Sequence, residues 1–322
     1  MRTPEFWNGG GLAAQLALAV LAPASWAHGA SVAWRRDHAR PHRTRAKIVC
    51  IGNLTAGGTG KTPIAIAVAR ALAGRGYRAA FLSRGYGGRA KGPVIADPDN
   101  DSAHDVGDEP LLLARAAPAI VARDRVAGAE LADASGAEIV VMDDGHQNFE
   151  LEKDLSIVVV DAETGFGNGR VLPAGPLREP VAQGLARAGA VVLVGDGAPD
   201  LMGFGRPVLR AHLAPVDVLN VTGRDVVAFA GIGRPAKFFA TLRGMGARLA
   251  DTIAFSDHHV YSASDIARLR AKARDALLVT TEKDYVRLTP TEREGINFLP
   301  VRAAFDDVDA FARLLDSVAP AR

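Results

Sequence analysis

Between Lys47 and Pro63 the chain reads Lys-Ile-Val-Cys-Ile-Gly-Asn-Leu-Thr-Ala-Gly-Gly-Thr-Gly-Lys-Thr-Pro. A short apolar, β-branched run stops at Gly52, a glycine-rich turn follows, and from Ile64 to Leu72 apolar residues recur with the 3.6 period of a helix. Strand, glycine loop and helix in that order point to a parallel α/β sheet. Such a loop directs successive backbone N–H groups, and the positive end of a helix, at one anion. A triphosphate fits this cradle. In a Walker A loop the lysine reaches the outer phosphates and the following hydroxyl ligates magnesium, the places taken here by Lys61 and Thr62. The expected nucleotide-binding run is therefore Thr55, Ala56, Gly57, Gly58, Thr59, Gly60, Lys61 and Thr62. Thr55 stands where the G-x-x-x-x-G-K-[ST] pattern has glycine, and a generic glycine turn is the competing reading.

The chain of 322 residues is long enough for about two domains. After the first unit, short apolar runs at Arg78–Ser83, Ala117–Ala122, Ala137–Asp143, Leu155–Asp161 and Ala188–Val194 read as strands covered on both faces, with a helix at Val126–Ala134. A mostly parallel, doubly wound sheet follows, with ligands at the carboxyl ends of its strands. A second set begins near Val221: strands Val226–Ala230, Arg248–Phe255, Ala276–Thr280 and Asn297–Pro300, with helices Pro235–Met245, Ala263–Ala273 and Asp307–Val318. The expected units are 1–45, 46–220 and 221–322, the second boundary falling around Pro215–Gly223. Cys50 is the sole cysteine, which rules out a disulfide framework and a cysteine metal site. A net charge of +2 with no basic and aromatic face argues against nucleic acid.

Leu12–Ala27 resembles the core of a signal peptide, but Arg2 offset by Glu5 is a thin positive region, and the apolar run is shorter than the roughly 20 residues of a spanning helix. A helix in the membrane surface fits better. Trp7 and Trp26 would be its interfacial groups, and Arg35, Arg36, Arg40, Arg43 and Arg45 would face anionic headgroups or substrate. A helix packed on the protein itself competes with this reading.

Further along, Glu138–Gly145 is an apolar strand ending in Asp143 and Asp144, the form of a Walker B element that delivers an acid to magnesium. Asp105–Pro110 sets Asp108 and Glu109 ahead of a helix, as N-terminal charge or as a base and metal ligand. The glycine- and proline-dense stretch Gly165–Glu179 carries Arg170 and Arg178, which suit phosphate as well as they suit a solvated loop. In Ser256-Asp257-His258-His259, adjacent residues of an extended strand point to opposite faces, so a single functional histidine is expected. In Thr280–Asp284 lysine and aspartate are adjacent, which fails the spacing of the guanine-reading loop of GTPases.

These residues resemble one family, the tetraacyldisaccharide 4'-kinases of lipid A synthesis. The runs Gly52–Pro63, Ser83–Gly87, Gly107–Pro110, Asp143–Gln147, Leu172–Glu179, Asp257–His258 and Thr281–Asp284 match it in order, Thr55 included. His146-Gln147-Asn148 departs from the Phe-Gln-His of many members, and His146 receives no role. The resemblance implies transfer of the γ-phosphoryl group of ATP to the 4'-hydroxyl of an acylated disaccharide at the cytoplasmic face of the inner membrane, without an obligate protein partner. Lys61 and the loop would hold the phosphates, and Thr62 with Asp143, Asp144 and Glu109 would organise Mg2+. Asp108 would take the hydroxyl proton with His258 tuning it, and Arg125 and Arg178 would touch phosphate. The rivals are a switch ATPase of the partition or metallochaperone type, whose early loop lysine is missing here, and an exported binding protein.

Overall fold

The computed structural model describes residues 7, 11–216 and 218–319; the remaining parts of the expected 1–45, 46–220 and 221–322 units lie outside the described residues. The first expected strand is the spine of the fold. β1 (Lys47–Gly52) pairs in parallel with β5 (Ile139–Asp143) on one side and β6 (Leu155–Asp161) on the other. Around them run β2 (Ala79–Ser83), β3 (Val94–Ile95), β4 (Ala119–Val121), β7 (Ala190–Val194), β8 (Val208–Pro215) and β13 (Val301–Phe305). The nine-stranded order is β13-β8-β7-β6-β1-β5-β2-β4-β3, antiparallel only in the two edge pairs, β13 with β8 and β3 with β4.

Side chains alternate across β1. Val49 and Ile51 join Ile64, Val68 and Leu72 of the helix Lys61–Gly74 in one core, while Ile48 and Cys50 pack with Met142, Ala129 and Ala132 on the opposite face. Cys50 is thus a small buried strand residue, its thiol pushed up by burial. A third cluster, Leu54, Val158, Leu177 and Leu185, seats the loop that follows β6. Helices on both faces bury the inner strands β1, β5, β6 and β7 almost completely, which explains their unbroken apolar runs.

A smaller sheet of four parallel strands is ordered β10-β9-β11-β12, with β9 at Asp225–Ala230, β10 at Arg248–Ala254, β11 at Leu277–Thr281 and β12 at Ile296–Leu299. Helices Pro235–Gly244 and Ala263–Ala273 bury Phe239 and Leu242, and Ile266 and Leu269, on its two faces. The expected strand Asn297–Pro300 corresponds to β12, and a strand not expected from the sequence, β13, follows it at once. After Pro300 the chain leaves the small sheet, β13 pairs antiparallel with β8, and Phe311, Leu314 and Leu315 of the helix Val308–Asp316 enter the core of the large one. Residues 301–319 therefore return to the large sheet instead of completing a 221–322 unit. Proline supplies no N–H for a ladder, so Pro300 is a natural place for the change of partner.

The N-terminal helix spans Leu12–His38, 27 residues, with Pro23 inside it. That is longer than its apolar core suggested, and Gln15–His38 is long and apolar enough to cross a membrane. Val32 is buried, but Leu16, Val20, Trp26 and Trp34 are exposed, so the helix is not a core element of the protein itself. Two contacts tie its side to neighbouring segments, Ser25 Oγ donating to Val171 O and Arg36 Nη1 to Gln183 Oε1, and ahead of the helix Trp7 Nε1 donates to Pro173 O.

Candidate active site

The glycine loop leaves the carboxyl end of the central strand and is held from below and from one side. Asn53, fully buried, donates from Nδ2 to Thr55 O at 2.7 Å and to Thr59 Oγ1 at 3.3 Å. The Gly165–Glu179 stretch zips along the loop: Ala56 N–H donates to Pro176 O, and Arg178 N–H to Leu54 O, each at 2.7 Å. Gly60, at φ +88°, caps the helix Lys61–Gly74 in a left-handed conformation that a Cβ would disfavour. The contacts that hold this loop are made largely by its backbone, and Thr55 takes part through its carbonyl oxygen.

Two acids end β5, and they differ. Asp144, at φ +51°, places Oδ1 3.6 Å from Lys61 Nζ and 2.8 Å from Arg178 Nη1. Burial raises its pKa, but Lys61 and Arg178 outweigh that and hold it below the usual value. Asp143 is 1% exposed and its Oδ1 has no hydrogen-bond partner. Burial, then the charge of Glu109, pushes its carboxyl well above the ordinary range. An orphaned buried carboxylate oxygen beside a second acid suits a cation. Among the described residues no three His, Cys, Asp or Glu side chains group as a metal cage.

The small sheet closes the site from the other direction. Asp108, 5% exposed, begins the helix Asp108–Ala114. Its Oδ1 accepts the N–H of Glu109, and its Oδ2 lies 3.0 Å from His258 Nδ1, 2.8 Å from Arg287 Nε and 2.6 Å from Arg287 Nη2. Burial works against its charge, yet the His258 hydrogen bond and the cations of Lys283 and Arg287 hold it far below the usual carboxylate range. Lys283 Nζ sits 3.2 Å from Glu109 Oε1 and 3.5 Å from His258 Nε2. His258 itself is fixed by its N–H to Gly231 O, at φ +56°, and its ring meets Tyr86 edge-on.

Of the residues singled out from sequence, the structure brings together Lys61, Asp144 and Arg178 in one cluster and Asp108, Glu109 and His258 in another. Arg125 is buried, bonded through Nη1 to Ala122 O, with Nε unpartnered; burial and then Arg84 lower it to about 10. His146 is structural: Nδ1 meets Ser156 Oγ at 2.8 Å, Nε2 meets Gly184 O at 3.0 Å, and burial drops it to about 4. Sequence reasoning missed Lys283 and Arg287. Thr281–Asp284 drew notice only as a failed guanine motif and a family run, and the one signal for Arg287 was its i+3 spacing from Asp284 on a short helix.

A phosphate loop on the central strand of a parallel sheet, faced by acids from the neighbouring strand end, defines a P-loop phosphotransferase or nucleotide hydrolase. Comparison narrows the class. Residues 17–319 match the LpxK family, tetraacyldisaccharide-1-P 4'-kinase, and the chain belongs to that family. It is 51% identical to the tetraacyldisaccharide 4'-kinase of Rhodospirillum rubrum over 98% of this chain and 97% of the relative, and 49% identical to that of Maricaulis maris over 99% and 96%. LpxK from Aquifex aeolicus, solved in complex with ATP, superposes with a TM-score of 0.79 at 26% identity, covering 94% of this chain and 99% of that one.

Proposed function

We propose that the chain transfers the γ-phosphoryl group of ATP to the 4'-hydroxyl of a tetraacyldisaccharide 1-phosphate, a lipid A precursor. The observation that carries this reading is geometric: Asp108 of the large sheet meets His258 Nδ1 of the small one at 3.0 Å, and Lys61 at the phosphate loop lies 3.6 Å from Asp144, in a chain whose residues 17–319 match the tetraacyldisaccharide-1-P 4'-kinase family. Phosphoryl transfer needs positioning and charge neutralisation more than covalent chemistry by the protein.

In this reading the loop amides and Lys61 hold the phosphates, with Asp144 and Arg178 fixing the lysine. Thr62, Asp143 and Glu109 would hold Mg2+, which neutralises the oxygens of the transferring group when bound. The sugar oxygen bonds to phosphorus as the bond to the ADP oxygen breaks, and the hydroxyl proton passes to Asp108. Its depressed proton affinity fits a loose transition state in which the proton leaves late. His258, donating from Nδ1, steadies that carboxylate.

The two sheets, 46–216 with 301–319 and 218–299, would close over the nucleotide. The helix Leu12–His38 would lie on the cytoplasmic surface of the inner membrane, its exposed Leu16, Val20, Trp26 and Trp34 in the lipid. A cavity of about 410 Å³ between it and the adjoining loop, lined by Ala22, Trp26, Ala33, Arg170 and Val171, would receive an acyl chain while the sugar reaches the phosphate loop.

The test is transfer of label from γ-labelled ATP to the acylated disaccharide in detergent micelles. Label on the 4'-oxygen is expected. Hydrolysis of ATP without transfer would sink the proposal and favour the switch ATPase.

A further inference from the structure

The helical turn after β11 carries two side chains that end at Asp108, and one of them does so with unusual completeness. Arg287, whose side chain is 6% exposed, gives Nε and Nη2 to Asp108 Oδ2 and Nη1 to Gly231 O at 2.8 Å and Asp284 Oδ1 at 2.7 Å. Asp284 is fully buried. Its Oδ1 also accepts from Gly231 N–H and from the Tyr261 hydroxyl, and its Oδ2 accepts from Thr281 Oγ1 at 2.6 Å. A Cβ on Gly231 would stand 3.0 Å from Asp284 Oδ1 and 3.1 Å from the Tyr261 oxygen, so glycine there keeps this anchor closed.

We propose that Arg287 is a positioning residue for phosphoryl transfer: anchored by Asp284 and Gly231 in the small sheet, it fixes the Asp108 carboxylate of the large sheet in its reactive place. The inference rests on the reading of Asp108 as proton acceptor. Several features set Arg287 apart from an ordinary interdomain ion pair. Its Nε and Nη2 donors converge on the single oxygen Oδ2, which leaves Oδ1 with the Glu109 N–H and a lone pair for an incoming hydroxyl. The guanidinium fork also spans two sheets at once, which a lysine ammonium on a flexible stem does not reproduce. Without Arg287, the remaining side-chain partners of Asp108 are His258 at 3.0 Å and Lys283 at 3.9 Å, both from the same sheet, so the carboxylate keeps cations but loses its two-point fix.

Steady-state kinetics of the full-length enzyme in micelles test this. Arg287→Ala should lower kcat about 100-fold, the scale of a misplacement near 1 Å, with KM for ATP within about twofold. Added guanidinium chloride at millimolar concentration should restore part of that loss. Arg287→Lys, which keeps charge and stem, should still lower kcat about tenfold and carries the test if the alanine variant does not fold. A wild-type kcat in the lysine variant, a rise in ATP KM that accounts for the loss, or no recovery with guanidinium would each overturn the proposal. Asp108→Ala, run in parallel, separates the two readings: transfer persisting in that variant removes the proton-acceptor role itself, whereas transfer lost there and intact in Arg287→Ala removes only the role of Arg287.

Discussion

The two halves of this site are built from different materials. On the large sheet the proposed phosphate cradle is mainly backbone, glycine conformations and a helix end, with the cations Lys61 and Arg178 gathered on Asp144. The small sheet contributes side chains, and they are mostly cationic. Arg234 and Lys237 face Asp161 and Glu163, at 2.8 and 2.7 Å, while His258, Lys283 and Arg287 face Asp108 and Glu109. Among the described residues Arg115 with Glu282 runs the other way, at 3.6 Å. In the proposed reading one half holds the nucleotide, and the other supplies the charge that places an acid beside it.

If that division is right, variants in the two halves fail in different parameters. Lys61→Ala should raise ATP KM and lower kcat together, for a loss in kcat/KM of about 1,000-fold or more, because the loop lysine serves both bound states. His258→Ala should lower kcat by about 100-fold or more and leave ATP KM nearly unchanged. Equal effects on KM from the two variants, in a titration of initial rates against ATP, would erase the comparison.

The same division explains what the sequence made legible. The cradle was readable because Gly57, Gly58, Gly60, Lys61 and Thr62 fall in one short run and their spacing is the mechanism. Strands buried on both faces announced themselves as apolar runs, whereas β13, a largely exposed edge strand that begins after Pro300, did not. The small-sheet half was far less visible. Arg287 and Asp108 are 179 residues apart, and nothing local to either one encodes the other. Asp108 drew attention as an acid at a helix start, but its proton affinity is set by charges that only the tertiary fold delivers. Asp143 and Asp144, adjacent in sequence, separate in role because a left-handed residue turns the second toward Lys61.

His146 sharpens the comparison from the large-sheet side, where a departure from the family's usual residue is structural. Its folded-state pKa lies near 4 against an ordinary 6.5, because burial disfavours the imidazolium. Below pH 6.5 the unfolded chain takes up a proton that the folded chain refuses. Stability from this group is therefore complete above pH 6.5, falls by about 3 kcal/mol as the pH drops toward 4, and is level below. Asp143, raised in the fold, shifts stability in the opposite sense over part of that range, so the measurement is the difference between wild type and His146→Gln. Chemical denaturation between pH 7 and 4 should give that difference a slope. A flat difference would mean the ring is charged in the fold.

The smallest expected effect lies at the second junction between the sheets. Arg234 Nη2 is 2.8 Å from Asp161 Oδ2 at the end of β6, and the same carboxylate accepts from Thr164 N–H and Oγ1 at 3.0 Å. The arginine is 36% exposed, so solvent screens the pair, and a coupling of about 1 kcal/mol is the reasonable scale. Nothing places either group at the reacting atoms. If the pair acts by favouring the docked arrangement of the sheets, Arg234→Ala and Asp161→Ala should each lower kcat about fivefold, and the double variant no further. Additive losses in that cycle would show that the two residues act separately, and would leave the Asp108 cluster as the junction that governs docking.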